Sequence, residues 1–224
     1  MARASRRDDW RDERVAGEYE ARRFVTPLQR LKHGRDERLL LALLGGEPRS
    51  VLDLACGTGR FQPRLAVPGR RVVGADVSLE MLRAGRQARP GAAALVQAEA
   101  EHLPFRSAAF DAVVCMRFLF HLQDGERRRA LTEMGRVARS GRVVAQVRYR
   151  WTLKHLGRWL RSRVGLARRY RPAQGRAELA RELGEAGLEL VALRPISRLF
   201  SDKALLLAFP ARIPGPARIP GTGG

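Results

Sequence analysis

Cysteine and lysine are both scarce in this chain of 224 residues, which has 2 cysteines, Cys56 and Cys115, and only 3 lysines among 43 basic residues. Two cysteines are too few for a disulfide scaffold or a structural zinc cluster, and each is read as a small buried hydrophobe. The 4 histidines, at 33, 102, 121 and 155, show no ligand spacing, so no metal site is expected. Long apolar runs are missing too. Leu39 to Leu44 and Ala204 to Phe209 are six residues each, far below the roughly 20 needed to cross a bilayer. Residues 1–14 mix Arg with Asp and lack the apolar stretch of a secretory signal, which points to a cytoplasmic protein.

Acidic residues are outnumbered, 23 to 43, for a net charge of +20. The excess is uneven. Residues 148–171 hold nine basic and no acidic side chains, nearly half of it in one short stretch. Elsewhere the strong preference for Arg over Lys reads as compositional background, because a site selected only for charge could use either. A hydrophobic content of 45% excludes a disordered basic tail protein, and the length suits one domain with an ordinary core.

Apolar residues from Val15 to Leu44 recur at helical spacing, and Gly45-Gly46 with Pro48 stops them. The period then changes. Ser50 to Leu54 reads as a buried strand feeding a glycine-bearing loop, and Phe61 to Leu65 as a helix after it. Arg71 to Asp76, Ala93 to Gln97, Phe110 to Cys115 and Arg142 to Val147 read as four further strands. Between them lie a helix capped by Ser78 and a helix from Gly125 to Ala138 that Gly141 ends. Gly175 to Ala186 is a later helix, and Glu189 to Leu193 and Lys203 to Phe209 form an antiparallel hairpin at the sheet edge. Strands alternating with helices predict an α/β fold: a Rossmann-like, seven-stranded, mostly parallel sheet with helices on both faces and an antiparallel last strand. The expected organisation is an arm at 1–14 and a single domain at 15–209. That domain includes N-terminal helices at 15–47 and a basic lid insertion at 148–171. A Pro/Gly-rich tail at 210–224 repeats Pro-Ala-Arg-Ile-Pro-Gly twice.

The most informative stretch is Val51 to Phe61, VLDLACGTGRF. A strand ends near Asp53, and Gly57 and Gly59 let the backbone approach a ligand. Asp76 ends the second strand, where a carboxylate can accept from both hydroxyls of an adenine nucleoside's ribose. Gln62 stands where a dinucleotide fingerprint needs glycine, and no Gly-Lys-Ser/Thr follows, which excludes a P-loop.

VLDLACGTGRF resembles motif I of the class I S-adenosylmethionine-dependent methyltransferases, and GADVSLEML at 74–82 resembles their motif II. QAEAEHLPF at 97–105, FDAVV at 110–114 with Arg117 and His121-Leu122 after it, and EMGRVARSGR at 133–142 resemble segments of one branch. That branch contains the ubiquinone/menaquinone methyltransferases, with their type 11 methyltransferase domain. The resemblance implies S-adenosyl-L-methionine as cofactor, with Asp53 near its ammonium and Ala55, Gly57 and Gly59 beneath it. It further implies Asp76 on the ribose diol, Val77 and Met81 on adenine, and Glu99 with the Ala100 backbone at the adenine amino edge. Tyr19 and Arg22 would close over the cofactor. Two departures stand out: Ala55 replaces the first glycine of the motif, and Glu99 stands where Asp is usual. His102 reads as a solvated turn residue.

A sulfonium methyl is already activated, so transfer needs mainly alignment, plus a base if the acceptor must lose a proton. Arg117 and His121 are the catalytic candidates, with Tyr149 nearby, and His121 is the base by residue type. No Asn-Pro-Pro-aromatic segment follows strand four, which argues against N6-adenine or glutamine-amide methylation. The favoured acceptor is a small or lipophilic molecule, quinone-like or lipid-like. The basic stretch at 148–171 has three readings: a lid helix, an interfacial helix on an anionic membrane at the inner face, or an RNA footprint. An RNA methyltransferase and a non-catalytic cofactor-binding protein are the competing functions.

Overall fold

The computed structural model describes residues 26–46, 48–91, 93–150, 152, 156, 173–197 and 201–211. The expected arm at 1–14, the stretch 15–25 with Tyr19 and Arg22, most of the basic insertion, and the tail from 212 lie outside the described residues.

The first described helix, α1, is Pro27–Leu44. The helical pattern was expected from Val15, yet Thr26 sets a new start: its hydroxyl accepts from the Gln29 N–H, and the Gln29 side chain accepts from the Thr26 N–H, each at 3.3 Å. This reciprocal cap, followed by Pro27, satisfies N–H groups the first turn cannot pair internally.

Seven strands follow: β1 Ser50–Leu54, β2 Arg71–Asp76, β3 Ala94–Gln97, β4 Phe110–Cys115, β5 Ala138–Arg148, β6 Leu188–Pro195 and β7 Lys203–Pro210. They form one sheet in the order β3-β2-β1-β4-β5-β7-β6. The first five pair in parallel, and β7 runs antiparallel to both β5 and β6. The expected hairpin therefore forms, with β7 inside the sheet and β6 at its edge. The remaining helices are α2 Gln62–Leu65, α3 Leu79–Ala88, α4 Asp124–Val137 and α5 Arg176–Glu185, with a 3-10 turn at Leu119–His121.

A second expected boundary moves. The helix α4 ends at Val137 and β5 begins at Ala138, so Gly141 does not stop the helix. It sits inside β5, where a Cβ would strike the Asp111 backbone carbonyl. The β4–β5 register shifts at the same place, between Phe110 and Ala112. Glycine is needed there because two backbones come too close for any side chain.

The core has two faces. On one, Leu40 and Leu44 of α1 pack over Val51, Val114, Val144 and Leu205. On the other, Leu131 and Met134 of α4 with Leu179 and Leu183 of α5 cover Leu54, Val113, Ala145 and Leu206. Side chains alternate across the pleat, so the near-continuous apolar runs of β4 and β7 follow from burial on both sides. A polar fastening fixes how β1 and β4 meet. One Asp111 carboxylate oxygen accepts from the Ser50 N–H at 2.9 Å, the Arg49 N–H at 3.0 Å and the Ser50 hydroxyl at 2.9 Å. Strand order reverses between β1 and β4, and the crevice at such a reversal, beyond the C-terminal strand ends, is where open α/β sheets bind ligands.

Candidate functional site

The β1 strand delivers Asp53 to that crevice 1% exposed. Its Oδ2 has no hydrogen-bond partner. Burial first, and then the neighbouring Asp76, push its carboxyl up to about 7. A buried carboxylate oxygen without a donor is matched by a cationic ligand group, so the residue fits a ligand ammonium.

After β1 the chain turns through left-handed backbone at Ala55 (φ 54°), Gly57 (φ 56°) and Gly59 (φ 76°). Ala55 thus keeps the conformation of the glycine it replaces, at the steric cost of its Cβ. The two glycines serve different ends. Nothing lies within 4 Å of where a Gly57 Cβ would stand, so that side of the loop is open to a ligand. At Gly59 the space is filled by the buried Gln62 side chain, which also occupies the Cβ position of Gly74 on β2. The residue that breaks the dinucleotide fingerprint therefore packs beneath the loop, and two glycines accommodate it.

Asp76 closes the loop. Its Oδ2 accepts from the Gly57 N–H at 2.7 Å and its Oδ1 from the Ser78 N–H at 3.0 Å. A carboxylate has about four acceptor positions, which leaves capacity for a diol beside these two bonds. Ser78 caps α3 by accepting from the Met81 N–H at 3.1 Å, leaving Met81 3% exposed and Val77 half-buried. The Gly85 face of α3 lies so close to the loop that a Cβ there would stand 2.8 Å from the Thr58 carbonyl. The segment after β3 joins the group: the Ala98 N–H donates to the Asp76 carbonyl at 2.9 Å, and Gln97 Nε2 to the Val77 carbonyl at 3.0 Å. Glu99 is exposed and Ala100 is buried. His102 is exposed, in the turn where its N–H donates to the Glu99 carbonyl at 3.1 Å. Asp53, Ala55, Gly57, Gly59, Asp76, Val77, Met81, Glu99 and Ala100 thus converge on the C-terminal ends of β1, β2 and β3.

The matched Glu133-x-x-Arg136 element has a structural role that the sequence reading did not assign. Arg136 bridges to Glu133 at 2.6 Å and donates to the Phe105 carbonyl at 2.8 Å and the Leu103 carbonyl at 3.1 Å. It holds the segment carrying Glu99 and Ala100 against α4.

Arg117 and His121 lie across the crevice, after β4. Arg117 has left-handed backbone (φ 61°), and its Nη2 donates to Asp36 of α1 at 2.7 Å. Its guanidinium also lies 5.6 Å from the centre of the Phe61 ring, which His33 approaches at 5.1 Å. This geometry makes Arg117 a fastener between β4, α1 and the loop's end. Its partner lies 81 residues away in sequence, so no local pattern announces it. The half-buried His121 ring sits 4.7 Å from that of Phe120. Cys115 is fully buried, and burial pushes its thiol, like that of the half-buried Cys56, upward. Among the described residues no His, Cys, Asp or Glu group could hold a metal ion, and no helix is long and apolar enough to cross a membrane.

The sequence reading missed Gln146 and Lys203. Gln146 is fully buried in β5, with neither side-chain amide atom hydrogen-bonded. Lys203 opens β7 and sets its ammonium 4.7 Å from the centre of the Phe120 ring, which Arg148 approaches at 5.3 Å. Gln146 left only a faint signal, one amide within the apolar run Val143 to Val147, and Lys203, at the first position of β7, left none. The basic stretch also changes character in three dimensions. Arg148 pairs with Asp202 at 3.0 Å, and Arg150 with Glu178 at 2.7 Å, so carboxylates elsewhere in the chain offset its first two charges.

Solved S-adenosylmethionine-dependent methyltransferases share this fold. The magnesium protoporphyrin IX methyltransferase of Synechocystis PCC 6803 with bound SAH superimposes with a TM-score of 0.72 at 21% identity, over 92% of this chain and 98% of that one. Residues 52–145 match the family model of a methyltransferase domain. A demethylmenaquinone methyltransferase of Thermobifida fusca is 35% identical over 150 residues, 63% of this chain and 62% of that protein. A malonyl-[acyl-carrier protein] O-methyltransferase of Pectobacterium atrosepticum is 33% identical over 132 residues, 59% of this chain and 49% of that protein. The chain spans between 52% and 62% of the first three curated relatives it matches.

Proposed function

We propose that this chain transfers the methyl group of S-adenosylmethionine to a nucleophilic small molecule, with a lipophilic quinol as the preferred acceptor. The observation that carries the reading is Asp53, a buried carboxylate with an unpartnered oxygen, beside the open face of Gly57. Asp53 would hold the cofactor ammonium, Gly57 would admit its backbone-facing side, and Asp76 would take the ribose diol on its remaining lone pairs. The cofactor supplies an electrophilic sulfonium methyl, so this chain has only to align an acceptor with it. Such alignment is worth roughly 7–11 kcal/mol of a barrier.

The acceptor class draws on the relatives named for demethylmenaquinone. Chemistry narrows it further. An electrophilic methyl reacts with an electron-rich partner, so the reduced quinol, rather than the quinone, is the competent form. The test uses labelled S-adenosylmethionine with a demethylated prenyl-naphthoquinol kept reduced. Labelled lipid product is expected, and none is expected from the oxidised quinone. Calorimetry with Asp76→Ala is expected to show at least a tenfold loss of S-adenosylhomocysteine affinity. Unchanged affinity would remove the basis of the site.

A further inference from the structure

We infer that Gln146 and Lys203 form the acceptor-oxygen site of this reaction, the amide and the amine together holding the hydroxyl of a phenol or quinol beside Phe120. The inference rests on the proposed methyl transfer and adds which residues meet the acceptor.

Strand registers carry the placement. Leu54, Cys115 and Ala145 stand in one row across β1, β4 and β5. One residue further on, the row reads Ala55, Met116 and Gln146, which sets Gln146 level with the start of the cofactor loop. Two strand spacings separate them, about 10 Å. On the other side of β5, Gln146 faces Leu205 and Arg148 faces Lys203. Directly opposed residues share a face of the sheet, so Gln146, Arg148 and Lys203 lie on the α1 side. That is also the face of Val51 and Val114, and hence of Asp53.

The chemistry of the cluster is selective. Its two guanidiniums are committed, Arg117 to Asp36 and Arg148 to Asp202. The ammonium of Lys203 has no carboxylate within ion-pair distance among the described residues and lies over an aromatic ring instead. A buried amide with no hydrogen bond is destabilising, and Gln146 presents both a donor and an acceptor in this condition. A hydroxyl oxygen matches the pair. It accepts from the amide N–H and donates its proton to an amine. The amine is suited to take it, since burial first and Arg117 next bring Lys203 down to about 8, against the opposing pull of Asp36 and Asp202, with Arg148 also lowering it.

The step balances. The acceptor O–H proton passes to Lys203 Nζ and its electron pair stays on the oxygen. The electron-rich acceptor then forms a bond to the methyl carbon while the methyl–sulfur pair returns to sulfur. If the ring carbon is the nucleophile, its hydrogen leaves as a proton to water and aromaticity returns.

The scarcity of lysine makes the test direct, because only Lys32 and Lys154 accompany Lys203. In the full chain with 13C-labelled lysine and S-adenosylhomocysteine bound, the resonance missing from Lys203→Arg is that of Lys203. It is expected to titrate near pH 8 and to shift saturably with 1-naphthol, while the other two do not. Lys203→Met should lower kcat on the prenyl-naphthoquinol at least a hundredfold and abolish the rise of kcat/KM through pH 8, with cofactor affinity intact. Gln146→Leu should raise the melting temperature, by removing an orphan amide, yet raise the acceptor KM about tenfold, the loss of one good hydrogen bond. A Lys203 resonance indifferent to 1-naphthol, or an unchanged pH profile in Lys203→Met, overturns the inference. Absence of wild-type turnover on every phenol tested would instead remove the acceptor reading, and the naphthol titration would still decide the Lys203 site.

Discussion

Glu133 of α4 accepts a hydrogen bond from the Leu103 backbone N–H at 2.8 Å, tying the helix to the segment that carries Glu99 and Ala100. The contact is reinforced by Arg136, which bonds the same carboxylate and two carbonyls of that segment. One glutamate therefore helps set the position of the expected adenine edge through a direct bond from α4.

The bond to Arg136, and then the Leu103 N–H, hold the Glu133 carboxyl below its usual value despite partial burial. A depressed carboxylate contributes stability that is present above its unfolded value near 4.5 and is lost as pH falls through the folded value. Wild-type unfolding should thus lose part of its stability below pH 4.5, measured by urea titration across pH 3 to 6. Glu133→Gln should flatten that limb. It should also weaken S-adenosylhomocysteine binding a few-fold at pH 7, since the tether of the 99–105 segment is lost.

Ala55 holds a left-handed backbone that costs a residue with a Cβ about 1–2 kcal/mol. Glycine removes this strain but adds unfolded-state entropy of roughly 0.5–1 kcal/mol. Ala55→Gly should therefore give a net gain of up to about 1 kcal/mol, raising the melting temperature by about 2–4 °C for a domain of this size. Calorimetric unfolding checks it, and a fall in melting temperature would show that the Ala55 methyl packs usefully.

Asp53 titrates near 7 because burial and Asp76 both disfavour its charge. The sign is opposite to that of Glu133: a raised carboxyl value means stability declines as pH rises from about 4 toward 7. A cationic ligand needs the ionised form, so S-adenosylhomocysteine affinity should climb between pH 5.5 and 7.5. Asp53→Asn should bind weakly and without that slope, which isothermal titration at several pH values would show.

Much of this was legible in one dimension. Continuous apolar runs placed six of the seven strands to within two residues, because buried parallel strands must be apolar on both faces, whereas β5 begins at Ala138, four residues before the expected Arg142. The loop at Asp53 to Gly59 and its partner Asp76 were readable because a strand-turn-helix with glycines has few uses. Three features were not. The start of α1 at Thr26 was hidden by apolar periodicity that runs past it, although Thr-Pro-Leu-Gln carries a cap signature. The role of Gly141 depends on a neighbouring strand's backbone, which no window along the chain contains. Arg117, Gln146 and Lys203 owe their character to partners, or the lack of them, on other strands and helices.

The placement of β7 between β5 and β6 bears on the order in which the molecule assembles during synthesis. The strands that carry the glycine loop and Asp76 emerge early and pair among themselves. The inner edge of β5 cannot be covered until Lys203–Pro210 has been made. Until then Val143 to Arg148 present an apolar strand edge of the kind that recruits other chains. A nascent polypeptide thus completes the half that would grip a nucleoside before it has the lysine that would receive an acceptor.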